Sequence, residues 1–345
     1  MNDEKNPGTR YIHIGTDGKL THLHSIPECL AAIKKSGYIW FDFHSPTRED
    51  LNPLVEPFSL HPLAIEDCLD MDQVPKIDDF VTNTFILFNS IEYIDKVIYI
   101  DELDFFLGKN FLVTVSPCHT GNRNFFSKLD DMITRNMVDI RRGPDFLLHI
   151  ILDFTVDRKF QVIEALQEEL DDAEEMILNT PENFKPEMLL RLRKSLLMIR
   201  KSLFHEREIM IRICRKDSPY ITEKAIFHFR DIYDHLAKFF EAIEIYREMI
   251  TSLMEMYLSL INTRMAKVGN RLNRIVRRLT LINTIFMPLT LLAGIGGMSE
   301  WSMMTGPENW KWAYPLFFVL MGGISIASYF ILKRLEAKDS EKNRR

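Results

Sequence analysis

Two runs of 21 residues, 279–299 and 312–332, contain no Asp, Glu, Lys or Arg, and they constrain this chain more than any other feature. As an α-helix, each would be about 31 Å long, the thickness of the hydrocarbon core of a bilayer. A chain that is 27% charged, with a mean hydropathy of −0.10, looks soluble only on average. Its two ends differ in character. Arg271, Arg274, Arg277 and Arg278 precede the first run, and Lys333, Arg334 and Lys338 follow the second. Basic residues favour the cytoplasmic side, so both flanks are expected there, with the connecting residues 300–311 outside. Trp301, Trp310 and Trp312 then fall at the outer interface, where amphipathic rings are favoured. Pro315 is expected in the first turn of the second span, where a missing N–H is tolerated. The opening MNDEKNPGTR lacks the apolar core of a signal peptide, so residues 1–270 are expected to be cytoplasmic, as are both termini.

Charge and motif content narrow the function classes. A net charge of −6 argues against general attraction to nucleic acid. Cys29, Cys68, Cys118 and Cys214 are widely spaced with no CxxC pair, which suggests neither a zinc site nor a disulfide framework. No GxxxxGK[ST] pattern occurs, so no nucleotide site is expected. His205, His228 and His235 have no spacing that suggests a catalytic set, and an enzyme is the least favoured class.

Ahead of the apolar runs the texture changes once. Residues 1–144 read as an α/β domain, with strands expected at 11–15, 38–43, 84–88, 101–108 and 110–116 and helices at 29–36 and 125–137. Residues 145–278 read as helical, because apolar residues recur at three- and four-residue spacing through Leu166, Leu170, Ala173 and Ile177. No proline interrupts 220–287, a rod of about 100 Å if helical, which implies a projecting element of an oligomeric bundle. Gly269 is a soft point in it. Carboxylates from Asp153 to Glu175 read as a solvated acidic face, or as a field that attracts cations near a pore entrance.

The first apolar run is not uniformly greasy. Asn273, Val276, Thr280, Asn283, Met287, Thr290 and Gly294 share one helical stripe. An amide inside a membrane needs another helix or water as partner, so the stripe is either helix–helix glue or the lining of a pore. Two helices cannot enclose a channel, but several copies of one helix can.

The segments HPLAIEDCLDMDQVPKIDDF (61–80), GPDFLLHIILDFTVDRKF (143–160), FRDIYDH (229–235) and TIFMPLTLLAGIGGM (284–298), with the second span and its KR, resemble the CorA family of divalent-cation channels. The likeness is collinear over about 290 residues. It implies a homopentamer in the cell (inner) membrane: an α/β cytoplasmic funnel (1–144), a helical stalk (145–278), a pore span (279–299), an outer loop (300–311), an outer span (312–332) and a basic tail (333–345). It implies magnesium as both transported and regulatory ion, with no organic cofactor or nucleotide. It places Asn273, Val276, Leu279, Asn283, Met287, Thr290 and Gly294 on the permeation path. It also places Asp67 and Asp231 at a subunit interface that binds cytoplasmic magnesium, with Glu66 and Asp153 nearby. Carboxylates of neighbouring subunits repel until a hard cation bridges them, often through its waters. A plain exposed acid or helix cap is the other reading of Asp67 and Asp231.

Three departures stand out. The family's mouth reads Gly-Met-Asn, whereas this chain has Gly297, Met298 and Ser299. Serine offers a shorter, weaker acceptor to a hydrated magnesium ion, and Glu300 and Glu308 either compensate or are ordinary loop acids. The neck 265–278 is longer by about one heptad and carries four arginines, which either anchor to anionic headgroups or alter the gate. The outer loop follows the family only loosely. A magnesium channel that also admits cobalt or nickel is therefore expected. The alternatives are a zinc or other transition-metal transporter of the same family, for which the pore offers no Cys or His ligands, and a non-conducting magnesium-sensing scaffold.

Overall fold

A computed structural model of the chain describes residues 9–70, 73–116, 129, 131–297, 306 and 308–342. Strands β1 (Arg10–Ile14), β2 (Leu20–Leu23), β3 (Tyr38–His44), β4 (Lys76–Asp79), β5 (Asn83–Ile94), β6 (Val97–Gly108) and β7 (Phe111–Ser116) form one sheet in the order β2-β1-β3-β7-β6-β5-β4. Among the described strands, only β3 and β7 pair in parallel, with Trp40 opposite Leu112. The long β5–β6 hairpin turns through Asp95 and Lys96, both at positive φ (50° and 65°), a backbone whose twist matches that of the strands it joins. The Arg191 guanidinium holds this turn by donating to the Lys96 carbonyl at 2.7 Å.

Helices α1 (Ile26–Ala32), α2 (Arg48–Phe58) and α3 (Pro62–Asp67) cover one face of the sheet. Their Cys29, Leu51, Leu54, Phe58 and Ile65 pack against Phe41, Phe43, Leu87, Phe106 and Val113. After the short helix α4 (Met137–Ile140), α5 (Pro144–Asn179) lies against β5 and also touches β3, β6 and β7; α6 (Glu187–Cys214) touches β4, β5 and α5. Covering both faces explains why the central strands are continuous apolar runs instead of alternating ones. It also shows what the change of texture at Pro144 means. That residue starts α5, but the compact unit continues to Tyr257.

The expected strands are present, and β5 and β6 extend beyond them to 12 residues each. β2 and β4 were not expected. Of the helix expected over 125–137, residues 129, 131–135 and 137 are helical and 136 is a turn, while 125–128 and 130 lie outside those described. Two further helices follow, α7 (Glu223–Gly296, 74 residues) and α8 (Trp310–Lys342, 33 residues). α7 runs through Gly269, so that glycine interrupts nothing in the helix. α8 starts at Trp310, which puts Pro315 in its second turn instead of the first.

The second compact unit is Leu258–Arg345, comprising the rest of α7 and α8. Both helices are long and apolar enough to cross a membrane by length and composition. Within this unit a Cβ on Gly296 would stand 2.9 Å from the Phe317 ring, so the glycine permits that close approach.

Candidate functional site

Two features of this fold could handle cations. The first is the α7 stripe. Residues 281, 285, 288, 289, 292 and 296 of α7 are partly covered, and so are 313, 317, 321, 324, 325 and 328 of α8. Both sets recur at helical spacing, and Gly296 and Phe317 belong to them, so these are the faces the two helices turn toward each other. At about 100° per residue, the stripe Asn283, Met287, Thr290 and Gly294 lies about 180° away from the covered α7 set. All four are exposed, as are Asn273, Val276 and Leu279 below them. Met287, Thr290 and Gly294 line a shallow groove of about 830 Å³. Thr280 and Thr290 donate their hydroxyls to the carbonyls of Val276 (2.9 Å) and Phe286 (2.8 Å), which leaves oxygen lone pairs as the groups they can offer outward. Pro288 has no N–H to give the Thr284 carbonyl. Of the expected mouth, Gly297 is the last described residue of this stretch and Glu308 is exposed, while Met298, Ser299 and Glu300 lie outside the described residues.

The second feature is a cleft of about 390 Å³ between α5 and α7. Asp153 and Asp231 line it together, with His149, His228, Asp234, Arg230 and Phe227. Helical spacing puts them there: His149 and Asp153 are four apart on α5, His228 and Asp231 three apart on α7. The His149 and His228 rings stand 5.1 Å apart, and His149 also packs edge-on against Phe229. Burial and the neighbouring His228 push the His149 imidazole down to about 4, so it is neutral at physiological pH. Burial, then Asp157 and Asp231, push the Asp153 carboxyl up to about 6. That repulsion is what a bound cation would relieve. Asp231 is exposed and lies 3.6 Å from His235.

Glu66 and Asp67 sit elsewhere in the unit, at the end of α3. Glu66 is exposed. Asp67 accepts from Lys76 at 2.7 Å, and the residue that follows it, Cys68, is hydrogen-bonded to the buried Asp104. Asp67 and Asp153 therefore do not line one cleft within a single chain. α3 is positioned by its cap: the His61 ring accepts from the Leu63 amide at 3.2 Å and stacks on Phe80 with centroids 4.7 Å apart. Among the described residues, no three His, Cys, Asp or Glu side chains form a ready-made metal-ligand group.

Sequence reasoning missed His149 and gave His228 no role. The signal was a His–carboxylate pair within one helical turn, occurring twice. The acidic face needs one amendment. Glu169 is buried and paired with Arg191, whereas Asp157, Glu164, Glu168, Asp171, Asp172 and Glu175 are exposed.

A layered α/β unit followed by two helices long and apolar enough to span a bilayer, one with an exposed polar stripe, fits the class of membrane transport proteins. The sequence profile of the CorA-like Mg2+ transporter protein family matches residues 35–334, and the chain belongs to that family. It is 31% identical over 301 residues to the cobalt/magnesium transport protein CorA of Thermotoga maritima, covering 86% of this chain and 82% of the relative. It is 27% identical over 263 residues to the protein of the same name from Methanocaldococcus jannaschii, covering 76% and 80%. The complete structure of the CorA magnesium transporter from M. jannaschii matches with a TM-score of 0.68 at 24% identity, covering 94% of this chain and 97% of that one. That match is a likeness of fold.

Proposed function

We propose that this member of the CorA family of magnesium and divalent-cation transporters conducts passively, as a pentamer whose α7 stripes line one axial path. The observation that carries this reading is the uncovered stripe. Within one chain, α8 covers the opposite face of α7, and Asn283 is exposed to what would be lipid. An amide in that position needs water or another copy of the chain. A ring of copies supplies both. Oxygen and thioether groups with no fixed charge suit an ion that keeps most of its water, as magnesium does.

The carboxylates of the soluble unit support regulation from the cytoplasmic side. Asp153 and Asp231 share a cleft on one chain, and Glu66 and Asp67 lie on α3, outside that cleft. A subunit arrangement that brings α3 of one chain to the α5–α7 cleft of the next gathers all four. Internal magnesium would then hold the ring closed, and its loss would let subunits splay. Cobalt and nickel are expected to permeate with magnesium. Ser299 lies outside the described residues. A serine hydroxyl is a shorter and weaker acceptor than the amide of the family's asparagine, so altered selectivity among divalent ions is expected.

Magnesium uptake into proteoliposomes under an inside-negative potential tests this, with wild type compared to Ser299→Asn. Robust wild-type flux is the expected result, with Ser299→Asn changing selectivity among divalent ions more than rate. Silence in both proteins as intact oligomers would replace the conduit with a membrane scaffold.

A further inference from the structure

The His149–His228 pair is not explained by magnesium. Magnesium prefers oxygen ligands and gives up its water reluctantly, whereas imidazole suits zinc, cobalt and nickel. Each of the two helices brings one imidazole and one carboxylate to the same cleft, His149 with Asp153 from α5 and His228 with Asp231 from α7. Paired His–carboxylate turns on facing helices are a recurrent way of building transition-metal sites inside helical proteins. Asp234 adds further negative charge, against the single cation Arg230. The ring centroids stand 5.1 Å apart, a separation at which one nitrogen of each imidazole can reach a common ion at the usual metal–nitrogen distance of about 2.0–2.1 Å. The two carboxylates lie on the same helix faces as the imidazoles, where they can bind that ion directly or through its waters. The described side chains are not already converged into such a group, so the ion itself would draw them together.

We infer that the cleft between α5 and α7 is a binding site for a borderline-soft divalent transition-metal ion, zinc, cobalt or nickel, held by His149 and His228 with Asp153 and Asp231. This rests on the proposed regulatory role of Asp231, and it extends that role. The same cleft responds to a hard ion through its carboxylates and to a softer ion, at far lower concentration, through its imidazoles. The cytoplasmic unit then registers transition metal as well as magnesium.

The test is equilibrium dialysis of radioactive zinc against the detergent-solubilised full-length protein, in a millimolar excess of magnesium that saturates oxygen-only sites. Wild type should retain zinc. His149→Gln, His228→Gln and the double variant should each lose affinity by about tenfold or more, since even an outer-shell change at a metal site costs that much. Magnesium protection from limited proteolysis, measured on the same samples, reports folding and the underlying reading independently. It should survive in the His→Gln variants and disappear in Asp231→Lys. Zinc bound equally by wild type and double variant, or not at all by wild type, overturns the inference. Proteolysis that magnesium never affects, even in wild type, overturns the regulatory reading instead and leaves the zinc result to stand or fall alone. If one His→Gln variant does not fold, the other carries the comparison.

Discussion

At the scale of single residues, Asp104 is the group least suited to its surroundings. It is 2% exposed in β6, and its Oδ1 has no hydrogen-bond partner among the described residues. Burial, then the charge of Glu102, push its carboxyl up to about 8, while a hydrogen bond with Cys68 pulls the other way. In the unfolded chain it would ionise near 3.9. Between those values the folded protein holds a proton that the unfolded chain has lost, so this residue makes stability fall as pH rises from about 4 to about 8. Asp104→Asn removes the titration and keeps the shape. It should raise stability by about 2–4 kcal/mol at pH 8 and by nearly nothing at pH 4. Thermal unfolding of both proteins across that range gives the answer. A gain that does not depend on pH would mean that Asp104 is not the protonated acid described here.

At the scale of elements, the fold depends on a buried ion pair between α5 and α6. Lys159 and Glu206 are both fully buried and meet at 2.5 Å. Glu206 also accepts from the Asn89 amide of β5 (3.1 Å) and from Ser202 (3.0 Å), and the Lys159 ammonium lies 4.1 Å from the centroid of the Phe88 ring. Removing one partner strands the other charge in an apolar interior. Lys159→Met should therefore cost about 3–5 kcal/mol, whereas Lys159→Met combined with Glu206→Leu should recover much of the loss. Chemical denaturation of the three proteins tests this. A double variant as unstable as the single one would place the cost in packing instead of in the unpaired carboxylate.

This pair also shows how far the sequence could be read. Strands β3, β5, β6 and β7 were legible because burial on both faces leaves long runs of Ile, Phe, Leu and Val. The edge strands β2 and β4, LTHL and KIDD, were not, since edge strands are short and polar and look like loops. The α7 stripe was legible because one helical period carries it. The Lys159–Glu206 pair and the His149–His228 pair join residues 47 and 79 positions apart on different helices, and no local period records which helices will face each other. Asp153 and Asp231 were brought to attention by family resemblance, and their common cleft came only with the packing of α5 on α7.

At the scale of the whole molecule, the regulatory reading requires the Met1–Tyr257 unit to face the cytoplasm. Arg271, Arg274, Arg277 and Arg278 lie just before the first apolar run, and Lys333 and Arg334 just after the second. Moving either group across a bilayer opposes the preference of Lys and Arg for the cytoplasmic face. With both flanks inside, Ser302, which lies between the two runs, is expected outside. A membrane-impermeant maleimide applied to intact cells should therefore label Ser302→Cys. Ser340→Cys, in the tail, should be labelled only after permeabilisation. The native Cys214, partly exposed and before residue 257, serves as an internal control, expected to stay unlabelled until the membrane is opened. The reverse pattern would put the α5–α7 cleft outside the cell, where internal magnesium could not reach it. The regulatory reading would then fail, even if the α7 stripe still conducted.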